Sequence, residues 1–181
     1  MKLWRFLGID DSFNERKCCI FGCITSGDYV EGFMYDEIEI DGFDSTEKIV
    51  KMVLKSKFRE QIKSIFLGGI TFGGFNIADI QEISIKTGIP VIVILRRHPD
   101  FDEFFNAIRN LPHAEKRYEI ALKAGKIYKL RDIFVQIAGV NLSEAEKLIN
   151  ASIIKGKIPE ALRIAHLAAS AVIHGESKGR V

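Results

Sequence analysis

Near its start the chain reads Trp4-Arg5-Phe6-Leu7-Gly8-Ile9-Asp10-Asp11-Ser12, an apolar run that ends in two consecutive carboxylates. A short apolar run of this kind predicts a buried β-strand. Acidic residues are poor strand formers and costly to bury, so two of them at the end of a core strand indicate a functional site. Carboxylate oxygens are typical ligands of a divalent cation. The segment therefore predicts a central strand with a candidate metal site where it ends.

The two carboxylates are predicted to play unequal parts because successive side chains on a strand point to opposite faces. Asp10 falls on the face of Phe6 and Gly8. We interpret Asp10 as the principal catalytic and metal-binding residue, and Asp11 as its support or as a second ligand. The alternative is a solvated strand end at which both acids cap a turn.

Length and composition restrict the class of protein. The chain has 181 residues, with 26 Lys and Arg against 24 Asp and Glu, and a formal net charge of +2. These values predict a single domain over residues 1–181 and exclude a strongly basic nucleic-acid binder. They do not exclude a local basic groove. No segment reads as a signal peptide or is long and apolar enough to span a bilayer. Cys18, Cys19 and Cys23 lie in an apolar run without metal-site spacing, which predicts buried reduced thiols in a cytoplasmic protein.

The order of predicted elements indicates the fold class. Three strand-like runs come first, joined by connections so short that neighbouring strands are antiparallel: 3–11, 17–25 and 29–40. Helices predicted to begin near Asp44, Asn76 and Asp100 then alternate with strands at 62–67 and 90–95. Residues from 112 onward are predicted to be mostly helical, with a strand hairpin and two closing helices.

This order describes an α/β protein with a mixed sheet flanked by helices. Three antiparallel strands lead, and two right-handed crossovers then add parallel strands. It is the order of the ribonuclease H-like fold, in which metal-binding acids gather where the first strand meets its neighbours.

A glycine-rich loop, Gly68 to Asp79, follows the predicted strand at 62–67. Glycine lets a backbone approach a ligand closely, and the helix start after such a loop can bind a phosphate. The loop lacks the sequence of a Walker loop and the spacing of the dinucleotide fingerprint. We interpret Thr71, Asn76 and Asp79 as substrate-binding residues. The alternative for Asn76 and Asp79 is helix capping.

Further charged residues follow the other predicted strands. Asp41 and Asp44 lie after the third strand, where either is expected to reach a metal held by Asp10. We choose Asp44 as the third metal ligand, and its alternative is a helix N-cap. Arg97, next to Arg96 at the end of the strand at 90–95, is predicted to hold a phosphate, with a solvated turn as an equal alternative.

His166 and His174 lie on an alanine-rich helix near the end of the chain. Small residues on a helix indicate close packing. We therefore interpret both histidines as packing residues rather than ligands.

The chain resembles the uncharacterised archaeal family called domain of unknown function 99. The resemblance covers essentially the whole length and rests on four segments: Gly8–Phe13, Gly68–Ile80, Pro90–Ile92 and Pro159–His166. That family is similar to endonuclease V, a magnesium-dependent, ribonuclease H-like nuclease that acts at deaminated bases. The resemblance implies that Asp10, within Gly-Ile-Asp, matches the first catalytic aspartate of endonuclease V.

The chain also departs from the endonuclease V pattern. Gly68-Gly69 stands where endonuclease V has a second metal-binding aspartate in an Asp-Gly motif. At the place equivalent to the Phe-Arg-Glu segment that carries a catalytic glutamate in endonuclease V, this chain has only Asp41 and Asp44, and it has no Pro-Tyr-Ile-Pro wedge. Two-metal phosphodiester chemistry needs several carboxylates to hold both ions.

Two functions from different classes follow from the resemblance and the residues. The first is a nuclease that uses Mg²⁺ or Mn²⁺ to hydrolyse phosphodiester bonds in DNA or RNA. The second is a non-catalytic nucleic-acid or nucleotide-binding protein on a degenerate nuclease scaffold. An enzyme acting on a small phosphorylated ligand is a third possibility, and the sequence leaves the oligomeric state open.

Overall fold

The predicted first strand becomes the third strand of a seven-stranded mixed sheet. A computed structural model of the protein describes residues 3–179. The sheet strands are β1 (Arg5–Phe13), β2 (Cys18–Ser26), β3 (Tyr29–Ile38), β4 (Ile62–Leu67), β7 (Val91–Leu95), β8 (Tyr128–Leu130) and β9 (Ile133–Ala138). A separate hairpin pairs β5 (Thr71–Phe72) with β6 (Asn76–Ile77). The helices are α1 (Ser45–Lys55), α2 (Ile80–Thr87), α3 (Phe101–Arg109), α4 (Ala114–Lys123), α5 (Leu142–Ser152) and α6 (Glu160–His174).

The strand order across the sheet is β3-β2-β1-β4-β7-β9-β8. Strands β1, β2 and β3 are antiparallel neighbours, and β4 and β7 add parallel strands on the other side of β1. The predicted mixed sheet, with three antiparallel strands followed by parallel ones, is thereby confirmed. The late hairpin of β8 and β9 extends the sheet by antiparallel pairing of β9 with β7.

The two faces of β1 belong to two different cores because its side chains alternate. Leu7 and Ile9 lie in the core beneath α1 and α2, while Phe6 lies in the core beneath α5 and α6. Cys18, Cys19 and Cys23 are free and buried, as predicted.

The helix starts agree with the sequence in two of three cases. Helices α1 and α3 begin where predicted, and Asp100 caps α3 by accepting a hydrogen bond from the Glu103 backbone. Helix α2 begins at Ile80 rather than near Asn76, since Asn76 belongs to β6. The hairpin inserted into the glycine loop moves this helix start toward the C-terminus.

Within residues 3–179, no helix has both the length and the apolar character that crossing a membrane would require.

Candidate functional site

The site begins with the contact between β1 and α6. A Cβ atom at Gly8 would lie 2.2 Å from the backbone carbon of Ala161 and 2.2 Å from the backbone nitrogen of Leu162. Only glycine therefore allows the backbone of α6 to lie directly on β1. One helical turn beyond Leu162, α6 presents His166 to Asp10, two residues beyond Gly8 on the same face of β1.

Asp10 and His166 form a hydrogen-bonded pair. The ring nitrogen Nδ1 of His166 lies 2.9 Å from Oδ2 of Asp10. An ionised carboxylate only accepts, so Nδ1 carries the proton and donates. The hydrogen bond to Asp10 raises the pKa of His166 above 6.5, against the opposing effect of partial burial. The second carboxylate oxygen, Oδ1, accepts a 2.9 Å hydrogen bond from the backbone nitrogen of Asp11.

The other ring nitrogen of His166 has an unusual environment. Nε2 is buried and makes no hydrogen bond within residues 3–179. The backbone of Lys178 lies near the ring and contributes to its raised pKa, without reaching hydrogen-bond geometry at Nε2. The orientation of the imidazole is therefore fixed mainly through Asp10.

Asp11 faces the glycine loop instead. Its Oδ2 accepts a 2.7 Å hydrogen bond from the backbone nitrogen of Gly73. Burial, followed by the nearby charge of Asp10, raises the pKa of Asp11 from 3.8 to about 6. The two acids thus occupy opposite faces of the strand end, as the alternation of side chains requires.

The glycine loop is held in place by Asp41. Oδ1 of Asp41 accepts a 2.8 Å hydrogen bond from the backbone of Phe75, and its own backbone nitrogen donates to Gly73. A Cβ atom at Gly74 would lie 2.4 Å from Oδ1 of Asp41, so glycine lets the loop lie this close to the Asp41 side chain. Asp41 itself adopts a φ of 52°, in the left-handed region.

Arg117 of α4 also holds Asp41 and the glycine loop together, a role that no pattern in the sequence indicates. Its side chain is only 3% exposed and donates to the backbone carbonyls of Asp41, Phe75 and two further residues, Gly42 and Pro112. The guanidinium also lies 4.2 Å from the centre of the Phe43 ring. Read along the sequence, Arg117 looks like any charged residue on an amphipathic helix.

Three of the residues predicted to bind substrate or metal make contacts that hold the glycine loop together. Asn76 is fully buried, and its Nδ2 donates to Oδ1 of Asp44 over 2.7 Å and to the carbonyl of Glu39. Asp79 caps α2 through the Glu82 backbone and pairs with Lys123 over 3.1 Å. These contacts explain Asn76, Asp44 and Asp79 without a ligand.

An open cleft of about 410 Å³ lies on the Asp10 side of the strand end. Asp10 and His166 form one wall, and the exposed Arg96 and Arg97 follow the end of β7. The remaining lining is glycine or apolar: Gly68, Ile94, Leu95, Ile158 and Leu162. Of the residues predicted to act, Asp10 and Arg97 line this cleft, and Asp11, Asp44, Thr71, Asn76 and Asp79 do not.

Gly68 at the end of β4 lies against Asp10. A Cβ atom at this position would lie 3.1 Å from Oδ1 of Asp10 and 3.3 Å from Oδ2. These separations are tighter than ordinary van der Waals contact, so any side chain here would crowd the carboxylate. Glycine keeps Asp10 free on this side.

The donor set at Asp10 is small for a metal centre. Residues 3–179 contain no group of three or more His, Cys, Asp or Glu side chains arranged to hold a metal ion. Magnesium, however, retains several waters and is often bound by one or two carboxylates together with substrate phosphates. Asp10 therefore fits a cation that arrives with, or is completed by, a phosphate-bearing ligand.

Residues 2–173 match the family model described as endonuclease dU. The chain belongs to the endonuclease dU family. The UPF0215 protein of Archaeoglobus fulgidus is 61% identical to this chain over 180 residues, which cover 99% of each chain. The resemblance to an uncharacterised archaeal family is thereby confirmed.

Several solved structures share the fold of this chain. A crystal structure of a protein of unknown function from Archaeoglobus fulgidus superposes with a TM-score of 0.94 at 60% identity, covering 95% of this chain and 99% of that one. Human ENDOV superposes with a TM-score of 0.63 at 14% identity, covering 96% and 85%. Endonuclease V of Ciona intestinalis, solved with a 24mer DNA containing an inosine followed by a ribo-adenosine, gives 0.57 at 15%, covering 91% and 83%. At such low identity these two likenesses establish the ribonuclease H-like fold, which confirms the predicted fold class.

Proposed function

We propose that the protein is a divalent-metal-dependent nuclease that hydrolyses phosphodiester bonds in DNA or RNA. The observation that carries the proposal is the position of Asp10. Its carboxylate lies at the end of the central strand in an open cleft, oriented by His166 and by the Asp11 backbone, with two arginines nearby. In open α/β sheets, ligands bind beyond the carboxyl ends of the strands. The fold shared with endonuclease V and the family description agree with this chemistry.

Asp10 is the residue proposed to hold Mg²⁺ or Mn²⁺. When bound, such an ion activates a water and neutralises charge on the phosphate oxygens. His166 keeps Oδ2 of Asp10 in a fixed direction by donating from Nδ1. Because Asp10 is also bonded through Oδ1 to a backbone nitrogen, its carboxylate is oriented in advance.

Arg96 and Arg97 are proposed to bind the phosphate backbone. Both are exposed and line the cleft that Asp10 opens into. An arginine fork matches the geometry of phosphate oxygens. The family description, endonuclease dU, favours a strand containing deoxyuridine as the substrate.

Asp11 and Asp44 take supporting parts in this proposal. Asp11 contributes its backbone nitrogen to Asp10, and its side chain holds the glycine loop at Gly73. Asp44 accepts hydrogen bonds from Asn76 and from the Glu39 backbone, which keeps it with the loop rather than in the cleft.

The small donor set favours a second candidate, a non-catalytic nucleic-acid-binding protein. Within residues 3–179 the only carboxylate that lines the cleft is Asp10. With fewer carboxylates the affinity for an ion falls, and binding through the arginines alone would remain. Such binding weakens steeply with salt and needs no metal.

Cleavage assays on deoxyuridine-containing and undamaged DNA and RNA, with Mg²⁺ or Mn²⁺, distinguish the two candidates. We expect metal-dependent cleavage by the wild-type protein and a loss of at least about a hundredfold in Asp10→Ala, with the thermal melting temperature retained. Asp28→Ala is the matched control, because Asp28 lies in the turn at the opposite end of the sheet. Salt-sensitive binding without cleavage under any of these conditions would refute the nuclease and support the binding protein.

A further inference from the structure

A second cleft, here called the α1–β3 groove, lies between strand β3 and the C-terminal half of α1. It has a volume of about 470 Å³ and is lined by residues 31–36, 51–52 and 55–58 together with Ile24. A space of this size fits a small molecule. Helix α1 covers the Leu7 face of the sheet, whereas Asp10 faces α6 on the other side. The α1–β3 groove is therefore separate from the Asp10 cleft.

The floor of the α1–β3 groove is apolar. Met34 of β3, Met52 of α1 and Phe58 of the following loop contribute its side chains. Gly32 contributes none, and a Cβ atom there would lie 3.7 Å from the Phe58 ring. A side chain at this position would therefore enter the space that the groove leaves free. Methionine side chains adapt readily to the shape of what they contact, so the floor fits a flat or apolar group.

Three lysines surround this floor. Lys51 and Lys55 are exposed and lie four residues apart on α1, and Lys57 follows in the loop with its ammonium 5.0 Å from the centre of the Phe58 ring. Among residues 3–179 none of the three forms an ion pair with a carboxylate. Like charges four residues apart on a helix are destabilising. An anion in the groove would remove this repulsion.

The two carboxylates that line the groove do not offset these lysines. Asp36 pairs with Lys48 over 3.0 Å, and Glu31 pairs with Arg5. In the part of the chain that the structure describes, neither Lys48 nor Arg5 lines the groove. Each acid is thus neutralised from outside, and the groove keeps the positive charge of its three lysines.

We propose that the α1–β3 groove binds a free nucleotide, with its phosphates at Lys51, Lys55 and Lys57 and its base on the apolar floor. An ammonium group carries three donors and acts as a point charge toward phosphate oxygens. Inorganic phosphate would leave the floor unused, and an uncharged ring would leave the lysines unused. A nucleotide uses both. The site involves neither Asp10 nor the arginines of the other cleft, so this proposal is independent of the proposed nuclease.

Methionine NMR tests the location of this site directly. The chain has three methionines, Met1, Met34 and Met52, so a sample labelled with ¹³C at the methionine methyl groups gives few signals. We expect ATP in metal-free buffer to shift the signals of Met34 and Met52, which Met34→Leu and Met52→Leu assign. The Asp10→Ala variant should show the same shifts. Unchanged signals at saturating ATP, or shifts that Asp10→Ala abolishes, would refute the groove as the nucleotide site.

Isothermal titration calorimetry with parts of the ligand tests its chemical class. Adenosine and tripolyphosphate should each bind at least about tenfold more weakly than ATP, since each lacks one half of the recognised structure. Raising the salt concentration should weaken the binding of ATP because its phosphates meet exposed lysines. Tripolyphosphate that binds as tightly as ATP would mean that the floor takes no part, and it would contradict the assignment to a nucleotide.

Two variants test the two halves of the groove. The double variant Lys51→Gln/Lys55→Gln should weaken ATP binding by about tenfold, and Gly32→Leu should do so by filling the space beside Phe58. Lys126→Gln/Lys129→Gln is the matched control, since these exposed lysines lie at or next to β8 on the opposite edge of the sheet. Circular dichroism checks that each variant folds. Equal affinities of the two double variants, or wild-type affinity in Gly32→Leu, would overturn the proposal.

Discussion

Asp10 and Asp11 are neighbours in sequence but have opposite environments. Asp10 faces α6, lines an open cleft and is hydrogen-bonded to a histidine. Asp11 faces the glycine loop, is held by a backbone amide and has its pKa raised to about 6 by burial and by Asp10. Asp10 is oriented by two hydrogen bonds at the cleft, whereas Asp11 is half-buried and keeps its proton to a higher pH than a free side chain does. Two adjacent acids on one strand therefore need not belong to one site.

The largest expected effect comes from disrupting the contact between β1 and α6 at Gly8, which positions His166 against Asp10. In Gly8→Ala the new methyl group meets the backbone of α6, which must shift away and take His166 from Asp10. We expect the free energy of unfolding to fall by about 3 kcal/mol and cleavage to fall with it. Chemical denaturation and the cleavage assay measure both.

Gly22→Ala on β2 is the control for this change. There the methyl group would meet only the ends of flexible side chains, at 3.2–3.3 Å, so a loss of about 1 kcal/mol or less is expected. Equal losses in the two variants would show that close contact between α6 and β1 has no special importance.

Replacing Asp11 with a neutral residue is expected to stabilise the protein. The folded pKa of Asp11 is about 6 against 3.8 for the free side chain, so the unfolded chain releases this proton first as pH rises. The free energy of unfolding therefore decreases between these two pH values and stays lower above them. Asp11→Asn keeps an acceptor for Gly73 and removes the charge. It should stabilise the protein at pH 7 by on the order of 1–2 kcal/mol.

Urea denaturation of the wild-type protein and of Asp11→Asn between pH 4 and pH 7 measures this effect. The difference in stability should vanish at the acid end of the range and grow with pH. A variant that is less stable than the wild type at pH 7 would mean that the Asp11 charge itself stabilises the fold.

The smallest expected effect concerns which side of the strand end binds nucleic acid. Arg97→Gln on the cleft should weaken binding severalfold and reduce the slope of log affinity against log salt by about 1. Thr71→Val in the glycine loop should leave both quantities nearly unchanged, because Thr71 does not line the cleft. Fluorescence anisotropy titrations at several salt concentrations provide the values. If Thr71→Val weakened binding and Arg97→Gln did not, the nucleic acid would bind at the glycine loop rather than at the cleft.

The mixed sheet of antiparallel and then parallel strands, and the opposite faces of Asp10 and Asp11, could be predicted because both depend on local patterns. Apolar runs, short connections and the two-residue period of a strand are visible in the chain itself. The same alternation predicts that Asp10 shares the face of Gly8, and the structure has an open cleft on that face. The alanine-rich character of α6 correctly indicated close packing.

The partner of Asp10 could not be predicted, because 156 residues separate it from His166. Their contact depends on how α6 docks on Gly8, which no local pattern specifies. The roles of Asn76 and Asp79 were obscured differently. A capping pattern suggested a helix start at Asn76, but the short hairpin of β5 and β6, supported by Asp41 and Arg117, moves that start to Ile80.

The docking of α6 on β1 also has a consequence for biosynthesis. Because 156 residues separate Asp10 from His166, translation produces the acid long before its partner. Until then the half-finished polypeptide can form the leading hairpins but lacks the histidine that orients the acid. Until α6 has been synthesised and has docked on β1, Asp10 lacks the hydrogen bond from His166 that orients its carboxylate.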